Sequence, residues 1–213
     1  MYQSGPMTRL PQERALRTRE ALLRAGAEVF DEYGYAGAGI TRILERAGVT
    51  AGALYFHFKS KEGLALAIMG AQPQQIQPKL ASQGLQRLVD ITLVWACELQ
   101  VNPLLRAGVR LSVEQGSFGV QDPTSYLGWK DIMAQCLEDA EDRGELLSGD
   151  SSGDIAEFLV GACTGIQLYS QLVSNRRDLP ERTVLMWRTL LPGIAQPGTI
   201  ARIELDPGRG ETT

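Results

Sequence analysis

The residues whose types and spacing could do chemistry are concentrated at 41–58, which read TRILERAGVTAGALYFHF. Two short segments are separated there by a tight Gly-Val-Thr turn at positions 48–50. A glycine in the turn, followed by an apolar residue that fills the corner, is typical of two helices joined as a helix-turn-helix. The second segment then presents small residues and neutral hydrogen-bond donors on one side. Such a side is suited to contact with a phosphate backbone.

The apolar positions of both segments predict which side is buried. The predicted inner residues are Ile43, Leu44, Ala47, Val49, Leu54 and Phe58. The outer side combines a helix N-terminus, which attracts phosphate, with small residues that let the helix approach a duplex closely. The residues predicted to contact DNA are Thr41, Arg42, Thr50, Ala51, Gly52, Tyr55, His57 and Lys61. The alternative is a compact helical corner in which the aromatic residues at 55–58 only fill space.

Several residue patterns of common catalytic and metal sites are missing from the sequence. His57 is the single histidine, and the three cysteines, Cys97, Cys136 and Cys163, lie far apart with no CxxC pair. The sequence contains no P-loop and no GxGxxG turn. The acidic run at 138–142 has mixed spacing with bases nearby, which is typical of a solvated helix face. We therefore predict a protein that is not an enzyme, uses no cofactor or metal, and works in a reducing cytoplasm.

Charge is distributed unevenly along the 213 residues. Residues 1–61 contain nine Lys and Arg against six Asp and Glu, a balance of +3, whereas the whole chain is at −4. A basic segment joined to an acidic one predicts a polyanion-binding module beside a module with another task. The alternative is chance clustering of solvated charges. No apolar run approaches the roughly 20 residues of a membrane span, and the first residues lack a secretory apolar core, so neither membrane contact nor export is expected.

The whole chain is predicted to be all-α. Apolar residues recur with a period near 3.6 from Glu13 to Tyr33, and Gly34 is a stop signal. Thr41, Thr50 and Ser60 are the predicted N-caps of three short helices. Further helices are predicted at 83–100, 104–116, 124–143, 152–174 and 180–195, with a Pro- and Gln-rich connector at 72–78 and a tail disordered after about residue 205.

Residues 41–64 resemble the DNA-binding head of the tetracycline-repressor (TetR) family. The matching residues are Ile43, 47–50, Gly52, Leu54, Tyr55, His57, Phe58, Lys61 and Leu64, preceded by Ala25, Val29, Phe30, Gly34 and Tyr35. The resemblance implies a homodimer with a three-helix N-terminal head, containing the helix-turn-helix, for operator DNA. It also implies a larger helical C-terminal part for a small effector and for dimerisation. The implied domains are 1–60 and 61–213.

A narrower resemblance, to the γ-butyrolactone autoregulator receptors of streptomycetes, extends over most of the chain. It rests on GALYFHF at 52–58, KEGLA at 61–65, RAGVRL at 106–111, Trp129, GELL at 144–147, GIQ at 165–167 and LPGI at 191–194. It implies a repressor that leaves a pseudo-palindromic operator when a diffusible γ-butyrolactone, butenolide or furan binds, and that controls antibiotic production or development. Two alternatives stay open: a pseudo-receptor that senses an antibiotic or biosynthetic intermediate, and, more distantly, a helical adaptor that does not bind DNA.

Ala51 departs from that resemblance. The receptors usually carry a lysine between the threonine and the glycine of the turn, and this lysine reaches a base edge in the major groove. A contact of this kind contributes about 1–3 kcal/mol of discrimination between bases. The departure therefore bears on which operator the chain prefers.

The same resemblance places Trp129 in the wall of an effector pocket. A lactone with an alkyl chain needs an apolar slot and a few polar anchors. The residues predicted to contact the effector are Gln72, Trp129, Thr164, Ser112 and Tyr126, the polar ones because they lie near or within apolar helical faces. For the hydroxyl groups, the alternative is a hydrogen bond within their own helix.

The helices near 152–174 and 180–195 carry more apolar positions than one helix usually buries against its own core. Two such helices from each of two subunits would form a four-helix bundle about a two-fold axis, which is how we expect the homodimer to form. The alternative is packing within one chain only.

Overall fold

The computed structural model of the chain describes residues 9–76, 80–147, 149 and 151–210. Throughout these residues the regular structure is helical, and a single isolated antiparallel bridge joins Leu146 and Ala195. The α-helices, in chain order from α1 to α10, are Arg9–Gly37, Ile40–Ala47, Ala51–Phe58, Lys61–Gly70, Gly84–Val101, Pro103–Val113, Thr124–Asp142, Ser152–Ser174, Leu179–Ile194 and Pro197–Ile200. The all-α prediction is therefore confirmed.

The chain divides into two compact units. The head unit contains the described residues up to Gln72 together with Pro103–Asp122, and the body unit contains Pro73–Asn102 and the described residues from Pro123 on. These units reflect packing, whereas the predicted boundary between residues 60 and 61 is one of function. The division into a DNA-binding 1–60 and an effector-binding 61–213 stays a prediction.

The long first helix of the head unit is broken at Gly34. This residue has φ 67 and ψ 179, a backbone conformation that essentially only glycine adopts. The predicted stop at Gly34 is thus present as a kink, but the chain resumes a helical turn up to Gly37. A Cβ at Gly34 would lie only 2.6 Å from the Arg110 guanidinium and 3.0 Å from the Glu114 carboxylate, so the kink has no room for a side chain.

Two short turns, at residues 48–50 and 59–60, separate the short helices α2, α3 and α4. Gly48 ends α2 in the left-handed conformation, and Ser60 caps α4 by accepting a hydrogen bond from the Gly63 amide, as predicted. Thr50 stands at the N-cap of α3, but its side chain makes no capping hydrogen bond. The prediction for Thr41 is wrong: Gly39 is the N-cap of α2, because the helix begins at Ile40, whose side chain packs against the head core.

The core of the head unit holds these short helices in place. Ile43 from α2 and Leu54 and Phe58 from α3 are buried against α1, and Leu44, Ala47 and Val49 pack against the same core. The predicted inner side of the helix-turn-helix is therefore confirmed. Helices α4 and α6 contribute to the same core, through Leu64, Ile68, Ala107 and Leu111 among others.

The body unit is built around α5. This helix packs against α7, against α9 and against a 3-10 turn at Pro207–Gly210, and the buried Trp187 of α9 donates a hydrogen bond to Thr92 of α5 at 2.7 Å. Helix α7 packs on α8. The five helices predicted between residues 83 and 195 agree with the observed ones to within two residues at each end, except that 104–116 ends as an α-helix at Val113 and continues as a 3-10 turn at Gln115–Phe118.

The prediction of a tail disordered after about residue 205 is wrong for residues 206–210. Arg209 makes a two-pronged ion pair with Asp90 of α5, with both N–O distances at 2.9 Å. Gly210 is buried so close to the Leu93 carbonyl that a Cβ would not fit. The segment 204–210, which we call the C-terminal strap, is therefore fastened to α5 by contacts that its Gly- and Pro-rich composition does not reveal.

Among the described residues, no single helix is long and apolar enough to cross a membrane; only α5 and α6 taken together pass that test of length and composition.

Candidate functional site

The second helix of the helix-turn-helix, α3, presents a continuous exposed face. Ala51, Gly52, Tyr55 and Phe56 are exposed on it, at helix positions i, i+1, i+4 and i+5, which lie side by side. Leu54 and Phe58 on the opposite side are buried in the head core. The burial of one side fixes the rotation of α3, so these four residues are the ones that a partner can reach.

The structure places most of the predicted DNA-contacting residues at the surface of the head unit. Thr41, Arg42, Thr50, Ala51, Gly52 and Tyr55 are exposed, while His57 and Lys61 are half-buried. The Arg42 guanidinium lies 4.0 Å from the centre of the Tyr33 ring, a cation–π contact that holds this charge on the outer surface. Whether each of these residues touches DNA stays a prediction.

Lys61 is less free than its sequence position suggests. Its ammonium donates a hydrogen bond to the Tyr35 carbonyl and lies 4.3 Å from the centre of the Tyr35 ring. Burial lowers the pKa of this ammonium. Lys61 therefore joins the start of α4 to the end of α1, and only its remaining donors are available to a phosphate.

No other part of the chain blocks a side chain at position 52. A Cβ at this position would have the Thr50 hydroxyl as its nearest neighbour, at 3.9 Å. In contrast, a Cβ on Gly63 would lie 2.0 Å from the Phe58 carbonyl oxygen. Packing within the chain thus explains the glycine at 63 but not the one at 52, and a reason outside the chain, such as the close approach of a duplex, is consistent with it.

Phe56 is a surface residue that the sequence analysis did not single out. Its side chain is 70% exposed, more than that of Tyr55 at 50%. The residues of α3, AGALYFHF, are almost all apolar or aromatic, so the residue type of Phe56 does not indicate that it is exposed. The signal that could have found it is its spacing of four from Gly52.

Of the predicted effector-contacting residues, Gln72 and Ser112 belong to the head unit. Gln72 is only 2% exposed, and its amide donates to the Met69 carbonyl at 3.0 Å. Its side chain lies against Gly108, where a Cβ would collide with it, and Ser112 donates to the carbonyl of that same Gly108 at 2.8 Å. Gln72 and Ser112 thus both lie against Gly108 of α6.

Trp129, Tyr126 and Thr164 belong to the body unit. Tyr126 and Trp129 lie one turn apart on α7 and are both half-buried, and burial raises the pKa of the Tyr126 phenol. The Thr164 hydroxyl donates to the Val160 carbonyl of its own helix at 2.8 Å. Thr164 and Ser112 therefore each donate a hydrogen bond to a carbonyl of their own helix, which was the alternative to an effector contact. Their part in effector binding stays a prediction.

Helices α8 and α9 leave a large apolar face uncovered. Phe158, Tyr169, Leu172, Val173 and Leu185 are exposed there, with Leu172 at 87%. Between the two helices lies a groove of about 350 Å³, in which Arg182 stacks over the Tyr169 ring at 4.6 Å. Other apolar residues of these helices, such as Trp187 and Leu191, are buried within the chain itself.

Comparison with known proteins decides the family. The model of the bacterial regulatory proteins of the tetR family matches residues 22–68, which span the second half of α1, all of α2 and α3, and most of α4. The chain is also 44% identical over 193 residues to the A-factor receptor protein of Streptomyces griseus, covering 91% of this chain and 69% of that protein.

The chain belongs to the tetR family. Among solved structures, this family member is similar to TylP, a tetR regulator from Streptomyces fradiae, with 38% identity, a TM-score of 0.85 and coverage of 92% of this chain and 95% of that one. It is also similar to a γ-butyrolactone receptor (an ArpA-like protein), with 30% identity, a TM-score of 0.70 and coverage of 94% and 100%.

Family membership makes the protein a ligand-responsive, DNA-binding repressor of transcription, of the kind that binds operators as a dimer, and not an enzyme. One pattern in this tetR-family chain needs comment, since residues 149–153, GDSSG, match GxSxG by letters. A nucleophile serine of that motif follows a strand, whereas Ser151 is the N-cap of α8 and the described residues before it form no strand. Burial raises the pKa of the Cys163 thiol to about 12, so it too is no nucleophile at neutral pH.

Proposed function

We propose that this tetR-family protein is a homodimeric repressor that binds a pseudo-palindromic operator and is released by a small diffusible lactone of the γ-butyrolactone type, or by a related butenolide or furan. The observation that carries the proposal is the extent of the similarity to the A-factor receptor, 91% of the chain. The family model covers the head only. Similarity that continues through the body supports a shared class of effector, because effectors of such regulators are recognised outside the helix-turn-helix.

The DNA half of the proposal uses the exposed face of α3. In a two-fold symmetric dimer, two copies of this helix enter successive major grooves about 34 Å apart, which makes the operator a pseudo-palindrome. The N-terminus of α3 at Thr50–Gly52 meets phosphate, and Arg42 adds charge at the edge. Because the operator lies on the chromosome, the protein acts in the cytoplasm.

The dimer half of the proposal uses the uncovered face of α8 and α9. Exposed apolar side chains as large as Leu172 and Leu185 are costly to leave in water, at about 25 cal/mol for each Å² of apolar surface. Packing the same two helices of a second subunit against them forms a four-helix bundle and fills the groove between α8 and α9. This supports α8 and α9 as the dimer interface.

Release requires the effector to bind one state better than the other. In the head unit, α4 shares a core with α1, α2 and α3, since Leu64 and Ile68 are buried with Ile43 and Leu54. We propose that residues 61–70 act as a lever: when they move, the α3 helix of the same subunit, which we call the reading helix, moves with them. The effector contacts Trp129 and favours the lever position in which the two heads no longer match the groove spacing.

The test measures binding of the full chain to the intergenic DNA beside its own gene by fluorescence anisotropy. Addition of a synthetic γ-butyrolactone with an alkyl chain releases the protein, while the ring-opened hydroxy acid of the same compound does not. Trp129→Ala keeps DNA affinity but loses the response to the lactone. Release by an antibiotic and not by lactones would instead indicate a pseudo-receptor, and control of antibiotic production or development would be assessed from the genes whose promoters bind.

A further inference from the structure

We propose that Phe56 reads the C5-methyl group of a thymine in each operator half-site, and is thus a specificity-determining residue of this protein. The inference rests on the proposed function, because it needs α3 to lie in the major groove.

The first support is the exposure of an entirely apolar ring on the reading helix. Phe56 is 70% exposed although Leu54 and Phe58, two residues away on either side, are fully or nearly fully buried. Its backbone carbonyl accepts a hydrogen bond from the Lys59 ammonium, and its ring meets the His57 ring edge-on at 4.9 Å between centres. These contacts steady the residue but leave most of the ring uncovered.

The second support is the open backbone beside it. Gly52 lies one turn before Phe56 on the same face of α3, and no side-chain atom other than the Thr50 hydroxyl, at 3.9 Å, comes within 4 Å of a Cβ built there. The Phe56 ring therefore does not fold back over Gly52. Together they form an apolar shelf: a flat ring next to bare backbone.

The chemistry of the major groove then selects the target. A phenylalanine ring can neither donate to phosphate nor accept from a base amino group, and the thymine methyl is the apolar group that base pairs present in this groove. The exposed face of α3 has Ala51, Gly52 and Tyr55 as its other members, so it carries no Lys or Arg to bind guanine. Such a surface therefore favours a half-site that has a thymine opposite it.

The experiment removes one methyl group and nothing else. The full chain is used to select tight-binding duplexes from a random pool, and the selected duplex is resynthesised with deoxyuridine in place of thymidine, one position at a time in both half-sites. Burying one methyl group changes affinity roughly fourfold. We expect one thymine position whose replacement weakens binding roughly fourfold for each half-site.

Variants connect that position to Phe56. In Phe56→Ala the deoxyuridine effect at that position disappears, while the melting temperature stays as in the parent, because the side chain is exposed. Phe56→Leu, which keeps an apolar side chain at the same place, retains the thymine preference. The proposal is overturned if no thymine is sensitive in the parent, if the sensitivity persists in Phe56→Ala, or if Phe56→Leu loses it. The selection is carried out before any variant is made. If it yields no tight-binding duplex, the proposed function is overturned as well.

Discussion

At the scale of single residues, the informative feature of α3 is that the residues of its first turn have small side chains or none. Gly52 has open space where a side chain would stand, and Ala51 is exposed. Neither residue is demanded by the interior of the head unit. Their effect is therefore expected in DNA binding and not in folding, and substitutions at the two positions separate those properties.

For Gly52→Ala we expect stability and DNA affinity to change in opposite directions. Replacing a glycine inside a helix by alanine raises stability by up to about 1 kcal/mol, but the added methyl group blocks close approach to the duplex. Thermal unfolding and anisotropy titration measure the two effects. Gly128→Ala is the matched control, since Gly128 also lies within a helix, with nothing within 4 Å of its built Cβ, and it should gain stability without losing affinity. Unchanged DNA affinity in Gly52→Ala would contradict the prediction.

Ala51→Lys tests the departure from the receptor resemblance. The added ammonium on the exposed face of α3 can reach a phosphate or a guanine, so binding to duplex tightens at low salt. Each phosphate neutralised adds about −0.9 to the slope of log affinity against log salt concentration. We expect a slope steeper by about that amount, measured between 50 and 200 mM salt. Ala51→Gln, which is of similar length but uncharged, should leave the slope as it is in the parent.

At the scale of elements, the C-terminal strap and α5 depend on one another. The Asp90 carboxylate is nearly buried and accepts hydrogen bonds from Arg209, Ser82 and Gln86. Burial acts to raise the pKa of this carboxyl, but the hydrogen bonds from Arg209, Ser82 and Gln86 outweigh it, and the net pKa is lowered. The ionised carboxylate is the form that holds the strap.

The sign of the pH effect follows from that lowered pKa. A group whose pKa is lower in the folded chain contributes stability above its ordinary pKa and loses that contribution as the pH falls. We expect Asp90→Asn to destabilise the protein by about 2 kcal/mol at neutral pH, because Arg209 then lacks a buried partner. In acid the difference between Asp90→Asn and the parent shrinks. Urea unfolding at neutral pH and near pH 3 measures this, and a difference that stays constant with pH would exclude Asp90 as its source.

At the scale of the whole molecule, the proposed dimer interface is the uncovered face of α8 and α9. Two reading helices on one rigid dimer bind a palindrome far more tightly than either alone, because the second contact is made at a high effective concentration. Loss of the dimer is therefore expected to weaken operator binding even though every DNA-contacting side chain remains in place.

For Leu172→Asp we expect a folded monomer with weak operator binding. The side chain is 87% exposed in the single chain, so the substitution leaves the subunit intact but puts an unpaired charge into the four-helix bundle. Sedimentation velocity and anisotropy measure the two outcomes. Val101→Asp, at a residue 72% exposed at the end of α5, is the control for a charge added to an exposed apolar position. A Leu172→Asp protein that remains dimeric would show that the subunits meet through another face.

The sequence alone determined the helices, the turns and the rotation of the helix-turn-helix, because these depend on neighbours three or four residues away. Gly48 and Ser60 end and begin helices through local backbone geometry, and the inner residues of the motif follow the helical period. What only the tertiary structure decided involves partners far apart in the chain. Gln72 is buried against Gly108, and the strap is fastened through Arg209 and Asp90. Long-range packing leaves no trace in the spacing of residues, and this is why those features had to be seen in three dimensions.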